Sequence, residues 1–321
     1  MSTVFIGTSE FAAAVLERLA LSDSNRPALV ITRPDRPSGR GRRLTSPAVA
    51  ERARQLGIAL EQPHSVNDPQ ARASIAAALD LGHGGGSRQS VIVCAFGALI
   101  KEPLLSEHEL LNVHPSLLPR WRGAAPVERA IMAGDAKTGV SIMRVSAGLD
   151  SGPVCLTGEE PIRPDDSYGS LAGRLQLLAG ELLVRALDED PPFLEQPQEG
   201  VTYADKLGPE DRLLDPSRPA VELERTVRAL HPHVGARVAL PDGSLLGVRH
   251  ARLVASEDLA LEQDPSQLAA AKRRLGLYEH DRRLLLACES GALELLVVQP
   301  PGGRAMEAAA YLRGRGLPGR A

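Results

Sequence analysis

The sequence predicts an α/β protein in two parts. A doubly wound N-terminal domain is expected over residues 1–190 and a smaller C-terminal β-barrel domain over 216–321, with a linker at 191–215 between them. Three observations carry this. Short apolar runs alternate with amphipathic segments as far as Leu187, the pattern of a parallel sheet covered by helices. Prolines then punctuate the chain at Pro191, Pro192, Pro197 and Pro209, where a regular element cannot continue. Beyond them, short strand-like segments with glycine turns recur over about a hundred residues, as a small barrel requires.

At 321 residues, with 43% hydrophobic and 24% charged side chains, the composition is that of a soluble globular protein with a sizeable core. No run approaches the roughly 20 apolar residues that cross a bilayer. Met1–Gly7 is a short apolar strand without a basic start, so no signal peptide is expected and the protein is expected to be cytoplasmic. Cys94, Cys155 and Cys288 stand far apart in apolar runs, fit no metal spacing and imply neither a disulfide nor a structural metal. Nothing in the sequence suggests more than a monomer. The net charge of −3 argues against indiscriminate polyanion binding. Residues 1–206 hold 21 basic and 25 acidic side chains and the remainder 16 and 15, so any nucleic-acid contact must rest on local patches.

Taken in order, Thr3–Ile6 reads as a buried strand, Gly7–Ser9 as a tight turn, and Ser9 as the N-cap of a helix through Leu21 with Phe11, Val15, Leu16 and Leu19 on its apolar stripe. This is the opening unit of a doubly wound fold, but it lacks the three-glycine dinucleotide fingerprint, so neither NAD nor FAD is implied. Ala28–Thr32 is a second strand. Arg33–Arg43 follows, and its prolines and glycines predict an irregular loop, with five arginines against one aspartate. Most such runs are solvated surface. Arginines on a flexible loop at the ligand edge of a sheet also grip phosphates, which makes Arg36, Arg40, Arg42 and Arg43 candidates.

Pro47–Leu56 and Pro69–Leu79 read as helices around a short strand, Ile58–Leu60. Gly82–Ser87 has linker composition. Val91–Ala95 is a fully apolar strand of the kind found mid-sheet, and Leu111–His114 is its neighbour. Further on come a helix at Ala125–Ala133, strands at Gly139–Val145 and Pro153–Ile162 around the turn Gly148–Gly152, and a long helix at Ser167–Leu187. After the linker, a helix at Pro219–Leu230 precedes strands at Ala236–Leu240, Leu245–Leu253, Leu284–Ala287 and Ala292–Val298, with Pro241-Asp242-Gly243 as a hairpin turn. Ala255–Tyr278 reads as a partly helical insertion.

The chemistry centres on Asn112-Val113-His114-Pro115. Strand side chains repeat every second residue, so Asn112 and His114 project from one face, and Pro115 stops the ladder just beyond them. A neutral donor and a titratable base thus share the carboxyl end of a strand, where open α/β sheets bind ligands. Alone the pair is weak, since a structural histidine beside a turn looks the same.

Asn112–Pro119, followed by Arg120-Trp121-Arg122-Gly123-Ala124-Ala125-Pro126 and by Gly148-Leu149-Asp150-Ser151-Gly152, resembles the folate-dependent formyltransferases. Within that family the chain is most similar to the branch whose acceptor is initiator methionyl-tRNA. Three stretches carry that finer resemblance: Pro34–Gly41 as the tRNA-contacting loop, Val201–Leu207 as the interdomain linker, and Gln299–Met306 as the C-terminal signature. The resemblance implies a Rossmann-like formyltransferase domain with an OB-like barrel. It also implies 10-formyltetrahydrofolate as formyl donor and the α-amino group of methionine on initiator tRNA as acceptor. Asn112, His114 and Asp150 would be catalytic. Ser116, Leu117, Leu118 and Pro119 would line the folate, along with Phe96 and Ile100, which leave a neighbouring strand end. The Leu117–Leu118 pair could equally be core packing. Phe96 departs from the tyrosine that many members carry, and it lacks that hydroxyl. Lys206 and the barrel's arginines would join the loop arginines in holding RNA phosphates. Trp121 would either stack on a base or prop the active-site loop.

The implied reaction suits these residue types. Amine attack on a formyl carbon creates an oxyanion, and a preorganised donor there is worth about 3 kcal/mol. Asn112 offers an uncharged N–H, His114 a proton carrier, and Asp150 a carboxylate to orient the imidazole or order a relaying water. Three other readings use the same motif: a formyltransferase with a small acceptor, an inactive tRNA-binding protein, and a hydrolase releasing formate. The arginine-rich loop and added C-terminal domain disfavour the first, and the intact triad disfavours the second.

Overall fold

The computed structural model describes residues 2–38, 43–81, 89–254 and 275–316. Cα packing groups the chain into two compact units. One holds Met1–Pro126, Lys137–Pro161 and Ala172–Asp205, and the other Val127–Ala136, Ile162–Leu171 and Lys206–Ala321. The expected division at 190 and 216 follows the sequence more simply than this, because two internal segments group with the C-terminal part.

The elements begin with β1 (Ser2–Gly7) and α1 (Glu10–Ala20). Ser9 caps α1, its Oγ accepting from the Ala12 N–H at 3.2 Å. Next come β2 (Pro27–Ile31), the pair β3 (Arg36–Ser38) and β4 (Arg43–Thr45), α2 (Ala48–Leu56), β5 (Ala59–Glu61) and α3 (Pro69–Asp80). They are followed by β6 (Gln89–Cys94), α4 (Leu104–Glu107), β7 (Leu110–His114), β8 (Arg122–Gly123), α5 (Pro126–Ala133), β9 (Lys137–Arg144), β10 (Val154–Pro161), α6 (Tyr168–Glu189) and β11 (Tyr203–Ala204).

Seven strands of the first unit form one sheet in the order β10-β9-β7-β6-β1-β2-β5. The pairs from β7 to β5 are parallel, and β9 and β10 add an antiparallel edge. Strands β1, β6 and β7 are buried almost throughout because both faces of the sheet are covered. Val4, Ile6, Ile31, Val91, Val93 and Phe96 share one cluster with Ile75 and Leu79 of α3. At the opposite edge the outer part of β10 alternates between half-buried and exposed positions, as an edge strand does.

The second unit continues with α7 (Ala220–Leu230), β12 (Ala236–Ala239), β13 (Leu245–Leu253), β14 (Gly276–His280), β15 (Arg283–Ala287), β16 (Ala292–Gln299), β17 (Met306–Glu307) and α8 (Ala308–Arg315). Its sheet is antiparallel, in the order β12-β13-β16-β15-β14, with β17 also on β16. Leu223, Val227 and Leu230 of α7 and Tyr311 and Leu312 of α8 pack with Val238, Leu246, Leu284, Leu286, Leu293 and Val298 from the strands. The expected barrel is present as a curled antiparallel half-barrel backed by α7 and α8, with β12 and β14 at the ends of its strand order among the described residues.

Several segments depart from the sequence reading. The arginine-rich stretch carries a short ribbon, with Arg36↔Thr45, Pro37↔Leu44 and Ser38↔Arg43 paired. Proline is tolerated there because a two-stranded ribbon leaves one side of each strand without a ladder partner. Helices α4 and α8 were not expected from the pattern. Gly276–Tyr278, assigned to the insertion, belongs to β14. The rest of that insertion (255–274) and the glycine run at 82–87 lie outside the described residues. The linker is structured too. Val154 and Leu194 exchange backbone hydrogen bonds at 2.8 and 2.9 Å, and β11 pairs in parallel with β8. No helix among the described residues is long and apolar enough to cross a membrane.

Candidate active site

Strand β7 lies between β6 and β9, with Asn112 opposite Val93 and Met143, and His114 opposite Ser141. Apolar neighbours on both sides fix its register, so Asn112 and His114 emerge on one face at its carboxyl end. Asp150 comes from the β9–β10 turn with φ of 43°, a left-handed conformation uncommon for a residue with a Cβ. The turn delivers its carboxylate to both partners. Asn112 Nδ2 donates to Asp150 Oδ1 at 3.4 Å, and His114 Nδ1 stands 3.6 Å from Oδ2. The Gly123 N–H donates to the same Oδ2 at 2.8 Å.

The second imidazole nitrogen fixes the tautomer. His114 Nε2 lies 2.8 Å from the Trp121 carbonyl oxygen, which can only accept, so Nε2 carries the hydrogen. Nδ1 is then the atom free to take up or release a proton, and it faces the carboxylate. His114 is 4% exposed, so its proton exchange is confined to partners brought to that face.

Trp121 acts here through its backbone: its N–H donates to Thr202 Oγ1 at 2.9 Å while its carbonyl holds His114. Arg120 stacks over the indole, 4.4 Å from the ring centroid. Of the two readings for Trp121, these contacts favour the prop.

The expected folate-lining residues divide. Ser116 is fully buried, donates from Oγ to the Arg120 carbonyl at 2.6 Å, and accepts at its own carbonyl from Ser141 Oγ at 2.7 Å. Its polar groups therefore hold the turn. Phe96 is packed in the core beneath β1 and β6, and its carbonyl accepts from Thr8 Oγ1 at 2.9 Å. Ile100 packs against the edge of that cluster. Leu117 sits over Gly139, where any added Cβ would strike it. Leu118 lines a cavity of about 290 Å³ with Val154–Thr157 and Leu194–Pro197. Pro119 remains half-buried at the turn. Leu99 and Leu149, which the sequence reading did not single out, stand well exposed on loops leaving strand ends, Leu149 beside Asp150.

Arg36 and Arg43 are exposed on the ribbon, and Arg40 and Arg42 lie outside the described residues. Asp35, the ribbon's one acid, is occupied elsewhere: Gln62 Nε2 donates to it at 2.7 Å and Ser46 Oγ at 2.9 Å. Those two hydrogen bonds and the Arg54 charge outweigh burial and hold its carboxyl below its usual range. Lys206 is exposed, in the second unit. That unit also holds an arginine-lined pocket of about 510 Å³, bounded by Arg212, Arg237, Arg249, Gln299 and Pro300. Arg249 donates to Gln299 Oε1 and Arg212 to the Val234 and Gly235 carbonyls, so neutral acceptors hold both guanidinium groups. Burial, then the like charges of Arg237 and Arg249, pull the Arg212 pKa down. Sequence reasoning named the barrel's arginines only as a class, because their positions converge only across β12 and β13.

Comparison with known proteins agrees with this architecture. Residues 1–187 match the formyl transferase family model and residues 206–316 the model of the formyl transferase C-terminal domain. Methionyl-tRNA formyltransferase of Halorhodospira halophila is 40% identical, over 98% of this chain and 96% of its own. That of Dechloromonas aromatica is 38% identical, over 99% and 97%. Among solved structures, an N-formyltransferase from Helicobacter canadensis, in complex with folinic acid and dTDP-3-aminofucose, superposes with a TM-score of 0.63 at 13% identity, over 91% of this chain and 98% of that one. A methionyl-tRNA formyltransferase from Clostridium thermocellum gives 0.57 at 12% identity, over 79% and 94%. At those identities the structural likeness speaks for the fold, whereas identity near 40% along nearly the whole chain speaks for kinship: the chain belongs to the methionyl-tRNA formyltransferase family.

Proposed function

We propose that the protein transfers the formyl group of 10-formyltetrahydrofolate to the α-amino group of methionine on initiator tRNA, with Asn112, His114 and Asp150 as its catalytic residues. One observation carries the assignment of roles: the amide, imidazole and carboxylate converge within 3.4 to 3.6 Å at the end of β7, although Asp150 arrives from a separate turn. The donor supplies an activated formyl group on a nitrogen of low basicity. His114 Nδ1 takes the proton the attacking amine must lose and returns it to the departing folate nitrogen. Asp150, beside it, stabilises the imidazolium that exists between those steps. Asn112 Nδ2 has a second hydrogen to present to the oxyanion. One C–N bond forms, one breaks and one proton moves, so the balance closes.

Exposed Leu99 and Leu149, with Leu117, Leu118 and Pro119, suit the apolar body of a pterin. Phe96, Ile100 and Ser116 support this slot from beneath, their side chains being taken up by the core and the turn. Arg36, Arg40, Arg42 and Arg43 act on the RNA together with Lys206, and the pocket of Arg212, Arg237 and Arg249 suits a backbone phosphate. The test is transfer of labelled formyl from 10-formyltetrahydrofolate to purified initiator methionyl-tRNA, elongator methionyl-tRNA and an amino sugar nucleotide. Transfer to the initiator alone is expected. Preferential transfer to the sugar nucleotide, or formate release without any acceptor, would overturn the proposal.

A further inference from the structure

The triad leaves unexplained what keeps Asp150 in place. Its backbone lies in the left-handed region, on a turn whose residues Ala147–Leu149 are exposed. Aspartate enters that region more readily than most residues with a Cβ, so the conformation alone does not fix the turn and contacts must select it. The contacts that do so come from a distant part of the chain. Gln196 is 7% exposed, and its Nε2 donates to the Asp150 carbonyl at 2.9 Å and the Gly152 carbonyl at 2.7 Å. Both amide hydrogens are thereby spent on the two carbonyls that flank Ser151 at the end of the turn. The amide is itself fixed in orientation, because its Oε1 accepts from Arg122 Nε at 3.0 Å and Nη2 at 2.7 Å. Arg122 is 8% exposed, and the next residue along, Gly123, supplies the N–H that binds the Asp150 carboxylate.

Asp150 is thus gripped at both ends from one place: its carboxylate by the Gly123 N–H, its backbone by Gln196, and the two grips are linked through Arg122. We infer that Gln196, oriented by Arg122, is a positioning residue that sets the Asp150 carboxylate against His114 and Asn112. The inference rests on the reading of Asp150 as catalytic. Gln196 touches no reacting atom and acts only through the turn it holds.

The chemistry of the amide supplies a discriminating substitution. In Gln196→Glu the side chain keeps its length and its acceptor for Arg122, now as an ion pair, so the brace to β8 survives. It loses both donors and turns an anionic oxygen toward two carbonyls. Gln196→Met, of similar length, removes the polar contacts altogether and serves as the second variant should the first be poorly folded. A misplacement of catalytic groups by about 1 Å costs on the order of a hundredfold in rate.

The experiment measures steady-state formylation and thermal unfolding of the full chain for wild type, Gln196→Glu, Gln196→Met, Asp150→Ala and the double variant Asp150→Ala/Gln196→Glu. Positioning predicts that kcat falls about a hundredfold in Gln196→Glu, with KM for both substrates within about twofold and a cooperative unfolding transition retained above the assay temperature. It predicts no further loss in the double variant beyond Asp150→Ala alone, because a residue acting through Asp150 has nothing left to act on. A kcat near wild type in both single Gln196 variants, with Asp150→Ala inactive, overturns the positioning role and leaves the catalytic assignment standing. Multiplicative losses in the double variant also overturn it. Wild-type turnover by Asp150→Ala removes the catalytic reading and this inference with it.

Discussion

Replacing Asp150 by Asn isolates the charge of the carboxylate from its shape. The amide oxygen can still accept from the Gly123 N–H, so the turn keeps its anchor while the negative charge beside His114 disappears. At the observed 3.6 Å, a unit charge facing a protonated Nδ1 is worth about 4.6 kcal/mol at an effective dielectric near 20. The carboxylate is 19% exposed, and water reaching it trims that to about 2–3 kcal/mol. If the imidazolium forms only during the reaction, this is transition-state stabilisation, and its loss slows transfer roughly 30- to 150-fold. Single-turnover formylation, with excess enzyme over charged initiator tRNA, reads that step without product release. The dissociation constant for tRNA should stay put. A variant within about fivefold of wild type would mean that Asp150 does not stabilise charge on His114, and that its contribution is confined to geometry.

Three further outcomes follow from packing and charge. Gly139→Ala places a Cβ against the Gly158 carbonyl and the Leu117 side chain, so overpacking between β9 and β10 should cost about 2–3 kcal/mol, seen as a melting temperature lower by roughly 5–10 °C. Asp211 receives Arg129 Nη1 at 2.6 Å and Nη2 at 3.0 Å. Burial pushes its pKa up, but the hydrogen bonds from Arg129 and Gly208, with the charges of Arg129 and Arg218, leave the carboxyl below the ordinary aspartate range. A carboxyl depressed by folding stabilises above its unfolded pKa and loses that contribution as pH falls through the folded one. Asp211→Asn should therefore melt below wild type at pH 7, with the gap closing as pH drops under about 4; a gap independent of pH would contradict the pairing. Replacing both Arg237 and Arg249 with Ala should raise KM for tRNA and flatten its dependence on the logarithm of salt concentration by about two. An unchanged salt slope would remove the pocket from the RNA-binding surface.

Much of the first unit was legible because strong local signals and tertiary packing agree there. The apolar strands β1 and β6, the Ser9 cap and the Asn-x-His alternation each have one comfortable solution. Asp150 was legible as a site residue only through the family resemblance of Gly148–Gly152, since its meeting with His114 is set by the β9–β10 turn and no periodicity announces it. Gln196 left no local signal. It lies among prolines in a segment whose composition reads as linker, and its role depends on Arg122 lying across the fold. The ribbon at Arg36–Thr45 was obscured because three-residue strands rich in arginine and proline score as loop on every local criterion. Helix α8 was obscured because an alanine run ending in arginines and glycines has no apolar periodicity to mark its start.

The pairing of Arg122-Gly123 with Tyr203-Ala204 carries a consequence for biosynthesis. Asn112, His114 and Asp150 have all been synthesised by residue 150, yet the strand that completes β8 is made some fifty residues later. A polypeptide halted at residue 187 holds the amide, imidazole and carboxylate but lacks Gln196, the Thr202 hydroxyl and the Ala204 carbonyl that secure their surroundings. Such a truncated chain should be inert even with a well-formed sheet, and extending it through residue 205 should restore the ordering of the Trp121–Ala125 backbone. On this geometry a growing chain is expected to gain activity only once residues 196–204 have been added.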